Sequence, residues 1–140
     1  MLGGVGRGAL VSAVDRKSRY LALKAIEKKT AAETEKAVCQ ILGSMTVNSL
    51  TMDNGSEFAN FKSIEKKLGI TVFFADPHSP WQRGSIENIN GLIRWFFPKG
   101  YDFRQVSQQE VKWVEDIINN RPRKCLNWLT PLQVLHSCCT

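Results

Sequence analysis

Residues 79–100 read SPWQRGSIENINGLIRWFFPKG. Prolines and polar residues interrupt the chain from Ser79 to Arg83, and Ile86, Ile89, Ile93 and Phe97 then recur at three- and four-residue intervals. That period predicts a helix over Gly84–Phe97 with one face on a core. Glu87 falls in its first turn. Asn90, Gly91 and Arg94 follow at three, four and seven positions and share the neighbouring polar face. A carboxylate, an amide, a glycine that permits close approach and a cation suit a phosphate-bearing ligand and its metal. An ordinary solvated face explains the same pattern equally well.

Working back from this helix, Ile70–Phe74 predicts a short apolar strand, and Phe61–Leu68 a helix closed by Gly69. Val47–Met52 predicts a buried strand that ends at Asp53-Asn54-Gly55. Thr30, with Glu33 three residues on, forms a capping box for a helix that runs to Leu42 and stops at Gly43. Ala9–Val14 and Arg19–Ile26 flank the turn signal Asp15-Arg16-Lys17-Ser18 and predict an antiparallel hairpin. Met1–Gly8 holds four glycines and reads as a turn or tail. Beyond the quoted stretch come a turn at Lys99-Gly100, a helix over Ser107–Asn119, a basic irregular segment Asn120–Leu129 and a short helix from Pro131. A hairpin followed by alternating helices and strands predicts an α/β domain with a mixed sheet, occupying residues 9–135 between short tails at 1–8 and 136–140.

The 140 residues suit one domain with a real core. No run of eighteen apolar residues offers a membrane span, and the N-terminus lacks the apolar segment of a signal peptide. The net charge is +6, from 19 basic and 13 acidic residues, spread over several segments rather than one tail. Basic patches on a folded surface fit nucleic acid as a partner. Cys39, Cys125, Cys138 and Cys139 form no ligand-spaced pair with one another or with histidine, so reduced thiols fit better than zinc. His136 beside Cys138 and Cys139 reads as tail.

Asp53 lies just past a predicted strand, where open α/β sheets bind ligands. Asn54-Gly55 would turn the chain and aim the carboxylate outward; turn chemistry alone also accounts for the triplet. Glu87 lies 87 − 53 = 34 positions on, across one helix–strand unit. Two carboxylates brought together repel unless a cation sits between them. Hard oxygen donors without His or Cys favour magnesium or manganese, and two such ions about 4 Å apart can clamp a phosphodiester.

TMDNGSEF, the gap to Glu87, SPWQRGSIENINGLIR, FFPKG and NNRPRKCLNWLTP together resemble the catalytic core of bacterial insertion-sequence transposases of the DDE class. The resemblance is closest to the insertion-sequence-thirty group, related to retroviral integrases, and covers Ala9 to Leu135. It implies an RNase H-like mixed sheet flanked by helices. It also implies metal-dependent cleavage of double-stranded DNA at element ends, with joining of the freed 3′-hydroxyl to target DNA. Asp53 resembles the family's second carboxylate and Glu87 its third, ligands for Mg2+ or Mn2+. Trp81, Gln82 and Arg83 resemble the segment that touches DNA near the active centre; Asn90 and Arg94 would face the same DNA. Arg121, Arg123 and Lys124 would grip phosphates, or form a solvated loop.

One departure carries weight. The family's first aspartate lies on the first central strand, which would fall upstream of Met1, and its DNA-end-recognition domain is not matched. Asp15 is expected to serve the hairpin turn rather than a metal. A sheet lacking its first strand leaves two open edges, so association with another copy, at least a dimer, is expected. So is little activity from these residues alone, in the bacterial cytoplasm near the nucleoid. The alternative is a non-catalytic remnant that binds DNA or a full-length transposase; a structure-specific nuclease is a weaker third reading. Trp95, Phe96, Phe97 and Trp113 are expected in the core, Trp81 as a packing anchor or a stacking platform, and His78 exposed.

Overall fold

A computed structural model describes residues 2–3, 6–76 and 84–138. The predicted hairpin is present as β2 (Ala9–Val14) and β3 (Leu21–Ile26), paired antiparallel from Ala9↔Ile26 to Val14↔Leu21. Asp15 closes its turn. Its carboxylate accepts from the Ser18 N–H at 2.8 Å and the Ser18 hydroxyl at 2.5 Å, so the side chain is committed to the turn. Residues 1–8 are not simply a tail, because Leu2–Gly3 forms a two-residue strand β1 that pairs antiparallel with Leu10 and Ala9 of β2.

Helix α1 (Ala31–Leu42) begins where the capping signal placed it, with Thr30 Oγ1 accepting from the Glu33 N–H at 3.3 Å. The Thr30 N–H donates to the Lys28 carbonyl at 2.9 Å. Strand β4 (Ser49–Met52) follows, then a 3-10 turn (Ser56–Phe58), helix α2 (Phe61–Leu68) and strand β5 (Thr71–Phe74). Gly69 ends α2 at φ 65°, a left-handed conformation that glycine adopts without a side-chain clash. β4 and β5 are parallel, from Ser49↔Thr71 to Met52↔Phe74, as a strand–helix–strand crossover requires. Helices α3 (Gly84–Phe96), α4 (Gln108–Asn119) and α5 (Pro131–Cys138) complete the chain.

The hairpin has apolar residues on both faces. Leu10, Leu21 and Leu23 pack with Ile89, Ile93 and Phe97 from α3 and its end, and with Val111, Val114 and Ile118 of α4. Ala9, Val11 and Ile26 join Ala37, Val38 and Leu42 of α1, Met52 of β4, Ile64 of α2 and Val72 of β5. The result is three layers: helices α3 and α4, strands, helices α1 and α2. Each fully buried Leu or Ile contributes on the order of 1.5–3 kcal/mol, which is why the apolar stripe of α3 fixes its rotation.

Among the described residues the strands form two sheets, β1-β2-β3 and β4-β5, which leaves open strand edges as expected. The outer edge of β3 is closed by side chains of α4. The buried amide of Asn119 accepts from the Leu21 N–H and donates to the Leu21 carbonyl, both at 2.8 Å. Glu115 accepts from the Leu23 N–H at 2.9 Å. The aromatic residues depart from expectation as well. Phe97 is buried and Phe96 half-buried, but Trp95 is 85% exposed and Trp113 is 60% exposed, standing edge-on to Phe96 at 5.9 Å. Trp95 falls outside the Ile89–Ile93–Phe97 stripe, and Trp113 lies beside the Val111–Val114–Ile118 stripe, so neither helix can turn its tryptophan inward.

Candidate active site

Asp53 follows directly on β4, between a buried residue and a pinned one. Met52 is 5% exposed. Asn54 Nδ2 donates to the Ala75 carbonyl at 3.0 Å, and the Ala75 N–H donates to the Met52 carbonyl at 2.8 Å. These bonds tie the C-terminal ends of the parallel strands together on both sides of Asp53, whose own residue is exposed. The backbone carrying the carboxylate is therefore fixed by the sheet, at the strand end where crevices form in α/β folds. Next to it, Glu57 folds over Gly55 and pairs with Lys29 at 3.3 Å.

Glu87 is exposed in the first turn of α3, a helix anchored through buried Ile89 and Ile93. The exposed strip of α3 runs from Glu87 through Asn88 and Gly91 to Trp95. Asn90 departs from the expected face. It is half-buried, and its Oδ1 accepts from the Ser12 hydroxyl of β2 at 3.5 Å, so the amide turns toward the sheet. The cause is angular: Asn90 lies nearer to Ile93 and Ile86 around the helix than to Gly91. Arg94 is half-buried at the other end of α3. One of its guanidinium nitrogens lies 3.4 Å from the carbonyls of Phe97 and Pro98, where a cation complements the helix terminus.

The C-terminal cations divide. Arg121 and Lys124 are exposed. Arg123 is half-buried within a folded loop, its N–H donating to the Leu129 carbonyl at 3.0 Å and its carbonyl accepting from Trp128 at 2.9 Å. One Arg123 guanidinium nitrogen is buried without a hydrogen-bond partner among the described residues. Trp81, Gln82 and Arg83, with His78, lie outside the described residues.

Asp53 and Glu87 supply hard oxygen donors of the kind magnesium and manganese prefer. Among the described residues, however, no three His, Cys, Asp or Glu side chains come together as a metal-holding group. Cys39 and Cys125 are free thiols. No helix is long and apolar enough to cross a membrane among the described residues.

Comparison with known proteins bears on the family and the fold. Residues 68–131 match the family described as Integrase core domain. The transposase for insertion sequence element IS1086 of Cupriavidus metallidurans is 42% identical over 139 residues, 96% of this chain and 41% of that protein. Transposase InsI for insertion sequence element IS30A of Escherichia coli is 38% identical over 138 residues, 96% of this chain and 36% of that protein. The chain spans about two-fifths of the length of the curated relatives it matches. Among solved structures, the catalytic core domain of BIV integrase aligns with a TM-score of 0.70 and 22% identity, over 93% of this chain and 87% of that one. At that identity the likeness is one of fold.

Proposed function

We propose that this chain, similar to the integrase core domain and to insertion-sequence transposases and with the fold of an integrase catalytic core, cuts and joins DNA. The substrate is double-stranded DNA at element ends and at the target. The reaction is metal-dependent phosphodiester cleavage followed by transfer of the freed 3′-hydroxyl. Asp53 and Glu87 would hold Mg2+ or Mn2+, which when bound stabilises charge on the phosphate oxygens. The observation that carries the reading is the pinning of Asp53 at the end of two parallel strands. Asp53, on backbone fixed by the strands, and Glu87, on a core-anchored helix, would each need little reorganisation to take part in holding a cation. Arg121, Arg123, Lys124 and Arg94, with Trp81, Gln82 and Arg83, would hold the DNA backbone. Asn90 contributes by fixing α3 against β2.

With only two carboxylates assigned to the site, these residues alone should bind DNA with a steep salt dependence and cut it weakly or not at all. A nicking assay with manganese tests this on supercoiled DNA, comparing the chain with Asp53→Asn and Glu87→Gln. Strong cleavage lost in both variants would show that a further donor within these residues completes the site. Strong cleavage that survives both substitutions would remove Asp53 and Glu87 from the mechanism.

A second reading rests on the split sheet. Beyond Leu10, β2 pairs only with β3, and β4 pairs only with β5, among the described residues. Open edges recruit strands. The chain would then pair with another copy, or with a longer relative, and act as a non-catalytic partner. Concentration-dependent dimerisation that a strand-breaking proline in β4 abolishes would favour it.

A further inference from the structure

Three cations from separate segments converge at the far end of α3. Arg7 comes from the turn before β2, Arg94 from α3 and Lys99 from the turn after it. With Gly3, Gly100 and Tyr101 they line a cleft of ≈ 450 Å³. None of the residues lining it is acidic.

The cleft is built rather than incidental. The Arg7 carbonyl accepts from the Phe103 N–H at 2.8 Å, and its guanidinium donates to the Gly100 carbonyl at 3.0 Å. Gly100 adopts φ 88°, and a Cβ there would sit 3.2 Å from the Arg7 guanidinium, so glycine leaves the room the arginine occupies. The carboxylate on the same loop, Asp102, is taken. Arg104 holds both its oxygens, with contacts of 2.6 and 2.9 Å, and keeps the acid near pKa 2. Asp102 also feels the charge of Arg7, so the cluster is partly balanced, but one carboxylate, already paired with Arg104, leaves a net positive cleft that an anion would neutralise. Arginine forks and a lysine head suit a phosphate oxygen set.

We propose that this cleft clamps a backbone phosphate of the DNA strand that passes Glu87. The inference rests on the DNA-processing reading above and adds Arg7 and Lys99 to it. Glu87 and Arg94 are seven residues apart on one helix, roughly 10 Å along its axis. At about 3.4 Å per base step on one strand, that places the clamped phosphate roughly three steps from the carboxylate. The exposed strip between them is open at Gly91, where a side chain would touch nothing within 4 Å among the described residues.

The test is fluorescence anisotropy on a labelled duplex, measured from 50 to 200 mM salt. Losing one phosphate contact should make the salt-induced drop in affinity over that range about 3.5-fold smaller. Arg7→Ala with Lys99→Ala should show this, and the charge-matched pair Lys36→Ala with Lys62→Ala, on α1 and α2, should not. Lys99→Glu, at an exposed side chain, is the second variant. It should weaken binding further than Lys99→Ala and decides the matter should the double variant not fold. A salt dependence in Lys99→Glu and the double variant equal to the parent chain's would overturn the clamp while leaving the DNA reading intact. No salt-dependent binding by the parent chain would instead overturn the DNA reading, and the clamp with it.

Discussion

Asn119→Ala tests how the outer edge of the sheet is held. Asn119 is 2% exposed, and its amide makes both hydrogen bonds available at Leu21, one to the N–H and one to the carbonyl. Alanine removes both at once and leaves two backbone groups of a buried residue without partners. Each such group costs about 1–3 kcal/mol, so the substitution should cost about 2–6 kcal/mol, the lower end applying if water enters the gap. That is a large share of the roughly 5–15 kcal/mol that separates folded from unfolded states in ordinary domains. Asn120→Ala is the control. It is the next residue, exposed, and loses one bond from its side chain to the Asp116 carbonyl, so it should cost under about 0.5 kcal/mol. Urea unfolding followed by circular dichroism measures both. Amide hydrogen exchange at Leu21 reports the same event locally, and protection there should fall in Asn119→Ala alone. Equal stabilities for the two variants, with Leu21 still protected, would refute the claim that α4 closes this edge.

Two further outcomes follow from side chains elsewhere. Hydrogen bonds from Lys67, Ser63 and Asn60 hold the Glu35 carboxyl well down, from an ordinary 4.5 to about 2. A depressed acid stabilises the fold above its unfolded pKa, and that contribution is lost as pH falls through the folded value. Stability should therefore drop between about pH 4.5 and 2, and Glu35→Gln should flatten urea midpoints across that window; an unchanged slope would show that the cluster does not form in solution. Arg123 buries a guanidinium nitrogen without a partner among the described residues. Arg123→Met should thus leave urea stability unchanged or raise it by about 1–2 kcal/mol, while reducing the salt slope of DNA binding by about one contact; a clear loss of stability would show that the arginine is retained for folding.

Local chemistry made much of the fold legible. Thr30, Gly69 and Ser107 mark helix ends where the structure has them, because caps and left-handed glycines are decided within a few residues. The apolar period of Ile86, Ile89, Ile93 and Phe97 gave the rotation of α3, and with it the exposure of Glu87. What stayed hidden depends on neighbours distant in sequence. Asn119 lies 98 positions from Leu21, and Ser12 lies 78 from Asn90. A polar residue inside the Val111–Val114–Ile118 stripe was the available signal, since a buried amide needs a partner. Trp95 and Trp113 are exposed despite their apolar type because helical angle, not residue type, decides which side chains face the core. The gathering of Arg7 with Lys99 had no signal, as both sit in glycine turns whose direction only tertiary contacts decide.

The edges of the strands connect these observations. On β3, α4 supplies a carboxylate and an amide at positions 115 and 119, and the backbone of Leu21 and Leu23 is answered by side chains. That arrangement satisfies an edge permanently and at the same time denies it to a partner strand. Among the described residues β2 and β4 carry no such cover: β2 meets β1 only at Ala9 and Leu10, and β4 meets β5 alone. Yet both contribute to one core, since Val11 and Met52 share the cluster under α1. Among the described residues these two edges share a core but no ladder, so side chains hold them in relation to each other. A strand entering there would gain a ladder without displacing anything the fold relies on. It would also run beside Asp53, at the end of β4, which is where a further carboxylate would have to stand to join it. The same geometry would thus serve both proposed readings: filled by a strand that carries an acid, the gap would complete the proposed cation site, and filled by any other strand it would make a partner without catalysis.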